Sequence, residues 1–207
     1  MNHKSISMRK LLIATRNKGK FREIVVKLKG LSFEFLSLSD TNLSPDFEVE
    51  EPATTFEGNS IIKAMTIGHK TGLLTLAEDS GLEVDALGGR PGVYSARYAP
   101  GTDEDRNRKL LGELQNVLNG QRGAQYRIVA ALYDPQCGKI RTCDGIYRGT
   151  IIREPRGTNG FGYDSIFYNE TLGKTNAEMS LEEKNSVSHR GKALEKAREI
   201  LEREFFV

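Results

Sequence analysis

Apolar positions follow two rhythms along this chain, and each rhythm predicts a kind of element. A continuous apolar run at 10–14, with Leu11, Leu12 and Ile13, reads as a buried strand. Phe21, Ile24, Val25 and Leu28 then fall at helical spacing before Gly30, a C-terminal cap. The loop between strand and helix is Thr15-Arg16-Asn17-Lys18-Gly19-Lys20. Looser alternation over 31–38 predicts a second strand, and the polar, acidic stretch 39–54 a surface loop. A second helix opens after Thr54 or Thr55, buries Ile61, Ala64, Met65 and Gly68, and stops near Gly72. Asn59 and Lys63, four apart, share another of its faces. Residues 73–77 read as a strand entering an acidic turn, and 82–87 as the strand leaving it. Thr102 with Asp105 makes a capping box for a helix carrying Leu110, Leu111, Leu114 and Leu118. Strands at 126–133 and 139–147 flank the turn 134–138 as a hairpin. The last helix opens near Ser188 and turns Ala193, Leu194, Ala197, Ile200 and Leu201 inward.

This order of elements predicts the α/β class, with a mixed sheet that the hairpin makes partly antiparallel. A length of 207 residues suits one domain, taken as 10–207 behind an N-terminal extension at 1–9. Thirty basic and 28 acidic residues leave a net charge of +2, so bulk attraction does not drive binding to a long polyanion. Phosphate recognition, if present, is local. The longest apolar runs are too short for a membrane helix. Cys137 and Cys143 form neither a disulfide framework nor a zinc signature, which suits reduced thiols in a cytoplasm.

Four stretches are candidates for chemistry. The loop 15–20 sits between strand and helix, where backbone N–H groups, the positive helix end, Lys18 and Lys20 can receive phosphate. It lacks the Walker order of glycines and lysine, and a solvated basic turn is its plainer reading. Glu78-Asp79-Ser80-Gly81 places adjacent carboxylates at the end of an apolar strand, a hard oxygen site suited to Mg²⁺. An exposed acidic turn fits that spacing equally well. Gly160-Phe161-Gly162-Tyr163-Asp164 lets a backbone approach a planar ligand while a ring stacks on it, or is a bulged strand with core aromatics. Lys184 with Ser188-His189-Arg190, at the entrance to the final helix, can hold phosphate or donate to a base carbonyl, although a histidine there is also an ordinary cap neighbour. Carboxylates on one side and lysines on the other suit a metal-bridged polyphosphate. A nucleic-acid-binding module using Lys18, Lys20, Arg153, Arg156 and Arg190 is the alternative that the balanced charge disfavours.

Six stretches in order resemble the inosine triphosphate pyrophosphatase family, which hydrolyses purine nucleoside triphosphates carrying altered bases. They are Ala14-Thr15-x-Asn17-x-Gly19-Lys20, Thr55-Phe56 with Asn59 and Lys63-Ala64, Glu78-Asp79-Ser80-Gly81-Leu82, the run from Leu87 to Tyr98, Gly160 to Asp164, and Ser188-His189-Arg190-Gly191. The resemblance implies an elongated mixed β-sheet flanked by helices, two lobes with a central cleft, a homodimer, and NTP hydrolysis to NMP and diphosphate. It also implies Mg²⁺ and a purine nucleoside triphosphate substrate, with no nucleic-acid or membrane partner. Carried over by position, Asp79 is the proton acceptor and a metal ligand, and Glu78 supports the metal. Thr15, Arg16, Asn17, Lys18, Gly19 and Lys20 hold the triphosphate with Lys63 and Ser80. Phe161, Gly162, Tyr163, Asp164, Lys184, His189 and Arg190 bind the nucleotide, the last two near the base.

One position departs from the pattern. Many relatives carry a metal-binding Glu directly before the Asn of the second stretch; here that position is Gly58, and a carboxylate sits one residue earlier, at Glu57. Glu57 enters the metal set as its substitute, rotated about 100° from that position on the helix.

Overall fold

Seven strands make one mixed sheet in the computed structural model, which describes residues 8–205. They are β1 (Arg9–Ile13), β2 (Phe33–Ser37), β3 (Leu74–Val84), β4 (Gly123–Asp134), β5 (Lys139–Ile151), β6 (Phe167–Asn169) and β7 (Lys174–Thr175). Their spatial order is β2-β1-β3-β4-β5-β6-β7. β1 runs parallel to β2 and β3, whereas β3, β4 and β5 are antiparallel neighbours. The expected hairpin is therefore present and longer than the sequence suggested. Of the extension expected at 1–9, residues 1–7 lie outside the described residues, and β1 begins at Arg9.

The helices are α1 (Lys18–Leu28), α2 (Phe56–Thr71), α3 (Asp103–Glu113), α4 (Leu181–Val187) and α5 (His189–Glu204). Polar caps at their starts satisfy backbone donors that the helix leaves unpaired. Thr55 accepts from Gly58 N–H, and Ser188 accepts from Gly191 N–H while also ending α4. Gly72, at φ +70°, ends α2 in the left-handed conformation that glycine adopts without strain. Three expectations need correction. α1 stops at Leu28 with Lys29 as its cap, one residue before Gly30. Met65 is exposed, because it lies away from the face of α2 that Ala64 and Ile67 press on the sheet. α3 ends at Glu113, leaving Leu118 exposed beyond it.

The larger correction concerns the acidic stretch. Residues 73–87 are not two strands around a turn: β3 runs unbroken from Leu74 to Val84, with Glu78 opposite Ala130 and Asp79 opposite Val129 on β4. Successive side chains on a strand point to opposite faces, so the acidic pair is split across the sheet. On one face, Leu74 and Leu76 pack with Ile24 and Leu28 of α1 and Leu194, Ala197 and Leu201 of α5. On the other, Ala77 packs against Ala64 and Ile67 of α2. Farther along β3, Leu82 and Val84 join a second core with Leu110, Leu114, Tyr126, Tyr147 and Phe167. Glu78 and Ser80 thus occupy a polar interval between two apolar cores.

Candidate active site

The edge of β3 makes room beside that interval. β1 pairs with β3 only from Leu74 to Leu76, and one further bond, from Ala14 N–H to the Leu76 carbonyl, closes that pairing. Beyond it the chain leaves β1 through the loop 15–17 and enters α1. Asn17 caps this helix, its Oδ1 accepting from Gly19 N–H at 2.8 Å and Lys20 N–H at 3.0 Å. These two amides are therefore engaged, and Lys20 is the residue of the loop that reaches the sheet. Its Nζ stands 3.4 Å from Glu78 Oε1. Burial lowers the Lys20 pKa, and Arg190 and Lys63 push the same way against the attraction of Glu78.

Glu78 is held from α5. Arg190 donates through Nε at 2.9 and 3.1 Å to its two oxygens and through Nη2 at 2.8 Å. Burial alone would raise the Glu78 carboxyl, but Arg190 and then Lys20 outweigh it and hold it at about 2. Arg190 also donates through Nη1 to Glu23 at 2.5 Å, and burial, which would lower its pKa, is overcome by Glu78 and Glu23. Three of the five guanidinium N–H groups are thereby used, leaving one on each Nη. Glu23 bonds Lys184 as well, at 2.9 Å, and Lys184 bonds Asp164 Oδ2 at 2.8 Å. The result is one buried chain of alternating charge that joins α1, β3, α4 and α5.

Asp79 lives in a different environment. Its Oδ2 accepts from Asn59 Nδ2 at 3.0 Å and its Oδ1 from Ser80 N–H at 2.9 Å. No cation is bonded to it among the described residues, and its pKa is raised, first by burial and further by the nearby charge of Glu51, against Asn59 and Lys63. Lys63, one turn along α2 from Asn59, donates to the Glu78 carbonyl at 3.2 Å and forms an ion pair with Glu51. Asp79, Glu51 and Lys63 therefore make a second polar group on the α2 side of β3.

The aromatic loop lies over the first group. Phe161 N–H donates to Asp164 Oδ2 at 2.9 Å, and the Phe161 ring has Lys184 Nζ 4.6 Å and the Arg190 guanidinium 5.7 Å from its centroid. Tyr163 donates to the Ser95 carbonyl at 2.8 Å. Gly81 is required beneath, since a Cβ there would lie 2.2 Å from the Gly92 carbonyl oxygen. His189 stacks on Tyr126, with centroids 4.8 Å apart and planes 9° from parallel, and its Nδ1 is buried without a partner among the described residues. Burial, followed by Arg190, lowers its pKa well below the usual histidine value, so the imidazole is neutral.

These residues line a cavity of about 200 Å³ that brings together Asn17, Lys20, Ser80, Phe161, Gly162, Tyr163, Asp164, Lys184, His189 and Arg190. Most of the expected nucleotide-binding residues thus converge. Thr15, Arg16 and Lys18 do not: they border a separate depression outside α1, where Arg16 donates to the Ser44 and Phe47 carbonyls. Glu57 does not join the acidic group either. Its Oε1 accepts from Thr142 on β5 at 3.0 Å, in a cavity shared with the loop 88–94. Glu78 and Asp79, on opposite faces, do not form the shared oxygen site expected of neighbours in a turn. Of the residues named for a nucleic-acid surface, Arg190 is buried between Glu78 and Glu23, and Lys20 is half-buried against Glu78.

Glu23 and Glu51 were missed by reading the sequence. Glu23 lies three residues after Lys20, hence on the same face of α1, and that spacing was a usable signal. Glu51 has none, since Glu48 and Glu50 beside it look the same.

A mixed sheet flanked by helices, with Lys20, Lys184 and Arg190 lining a cavity beside β3, suits a phosphate-bearing ligand. The chain belongs to the Ham1 family, whose model matches residues 11–200. It is 53% identical over 190 residues to the dITP/XTP pyrophosphatase of Geobacter sulfurreducens, covering 90% of this chain and 94% of that one. The dITP/XTP pyrophosphatase of Bacillus licheniformis is 45% identical over 200 residues, covering 94% and 99%. Among solved structures, a HAM1 protein from Coxiella burnetii superposes with a TM-score of 0.85 at 39% identity, covering 94% of this chain and 99% of that one. The Staphylococcus aureus Ham1 protein gives 0.83 at 39%, covering 95% and 100%.

Proposed function

We propose that this chain hydrolyses non-standard purine nucleoside triphosphates, ITP, dITP and XTP, to the monophosphate and diphosphate, with Mg²⁺. The observation that carries the reading is the division of charge about β3. A cavity walled by Lys20, Lys184 and Arg190 lies on one side, and on the other the carboxylate of Asp79, to which no cation is bonded among the described residues. A triphosphate along the open edge of the strand meets both. The family relatives named above, dITP/XTP pyrophosphatases, support the substrate class.

Water attacks the α-phosphorus in line with the diphosphate, whose bond to that phosphorus breaks, and Asp79 accepts the proton that the water loses. Lys20 and Lys63 stabilise the charge that develops on the leaving diphosphate; the capped N-terminus of α1 fixes the position of the first, and α2 carries the second. No side chain becomes covalently attached. The donor set suits Mg²⁺, which takes one or two carboxylates beside phosphate oxygens and water: Asp79 and Glu51 would hold it. The ion supplies charge neutralisation and a lowered pKa for water. Glu78 is assigned to Arg190, not to the metal.

The base lies by His189 and the Phe161 loop. A neutral imidazole has one N–H donor, and a 6-oxo group accepts from it where a 6-amino group repels it. A site built around such hydrogen bonds discriminates by ~10⁴ or more. The same reading carries a homodimer and a cytoplasmic location. The test is product analysis with ITP: IMP and diphosphate in equal amounts are expected. IDP with orthophosphate would refute attack at the α-phosphorus.

A further inference from the structure

Beside Phe161, α3 grips Gly162, one of the two positive-φ glycines of the stretch Gly160 to Asp164. Gly162 has φ +65°, a conformation that glycine both adopts and leaves at little cost. Its N–H donates to Asp103 Oδ2 at 2.6 Å, and its carbonyl accepts from Asn107 Nδ2 at 3.3 Å. Asp103 and Asn107 are four apart and share a face of α3. The second Asp103 oxygen pairs with Arg106, and Asn107 reaches Ser165 Oγ at 3.2 Å. Both polar groups of one peptide residue are thus fixed from outside the loop.

The loop needs that grip. Apart from those bonds, a cavity of about 580 Å³ lies between the loop and α3, and Asp103, Phe161, Gly162 and Asp164 border both this cavity and the nucleotide cavity. The loop is therefore a partition with little packed behind it. Phe161 immediately precedes Gly162, and its ring lies over Lys184 and Arg190.

We infer that Asp103 is a positioning residue for substrate binding: through Gly162 it holds Phe161 against the nucleotide, although it belongs to none of the stretches that carry the family resemblance. The inference rests on the function proposed above, and its test separates the two. The chain has no tryptophan, so Phe161→Trp installs a single fluorescent reporter on the partition. With Asp103→Ala in that background, the indole anisotropy falls. In the otherwise native chain, Asp103→Ala raises KM for ITP by roughly tenfold, as expected for a bond to a charged acceptor. kcat stays within about twofold, the pattern of lost uniform binding. Asp103→Asn keeps an acceptor without the charge and falls between the two. If the alanine variant does not fold, the asparagine variant decides, with KM raised by roughly threefold or more. Unchanged anisotropy, or KM unchanged in the folded variant, overturns the inference. A fall in anisotropy in a chain that releases no diphosphate would uphold the clasp and refute the pyrophosphatase reading alone.

Discussion

Arg190 and Glu78, 112 residues apart in sequence, meet inside the protein with Arg190 Nη2 2.8 Å from Glu78 Oε1. Arg190 is 2% exposed and Glu78 4%, so neither charge has water to fall back on. Removing Glu78 leaves the buried Arg190 with Glu23 alone, which it shares with Lys184, and breaking a buried pair typically costs about 3–5 kcal/mol. Glu78→Gln should therefore lower stability by about that much, measured by urea unfolding at neutral pH.

The same pair predicts an acid limb. Glu78 has a folded pKa of about 2 against an ordinary 4.5, so its contribution is fully present above the unfolded value and is lost as pH falls towards about 2. Thermal unfolding followed through that range should show stability falling more steeply in the native chain than in Glu78→Gln. Parallel profiles would contradict the depressed carboxyl.

Asp79→Asn tests the proton acceptor. Turnover should drop by roughly 10² or more while nucleotide affinity changes only a few-fold. Free of Mg²⁺, Asp79 should titrate above an ordinary aspartate, because burial raises its pKa. Single-turnover kinetics and an NMR titration of the metal-free chain measure the two.

Glu51 and Glu57 make a paired prediction. Glu51→Gln should raise the Mg²⁺ concentration needed for half-maximal turnover by about tenfold or more, as loss of one of two carboxylates implies. Glu57→Gln should leave it unchanged, since that side chain faces Thr142. Magnesium titrations of the two variants decide between the carboxylates.

The elements governed by local chemistry were legible in the sequence. Thr55, Thr102 and Ser188 announced helix starts because a capping oxygen satisfies backbone amides within three residues. The acidic stretch was misread for a complementary reason. Glu-Asp-Ser-Gly carries the polar and glycine signals of a turn. What makes it strand is pairing with β4 and compensation of Glu78 by Arg190, both contacts distant along the chain. The candidate site followed the same division. Motif residues on α4, α5 and the Phe161 loop converged, whereas Glu51 and Glu57 were distinguished only by the direction in which α2 and its leading loop run.

His189→Ala should remove most of the preference for ITP over ATP, measured as the ratio of their kcat/KM values. In the native chain that ratio should stay constant from about pH 6 to about pH 8, because burial keeps the imidazole neutral throughout.

The most direct measurement of the central claim is diphosphate release from ITP, dITP, XTP, ATP and GTP, each with Mg²⁺ and with excess chelator. The account predicts kcat/KM for the first three well above that for ATP and GTP, and loss of all activity with chelator. Equal rates on all five, or release that persists without Mg²⁺, would contradict it.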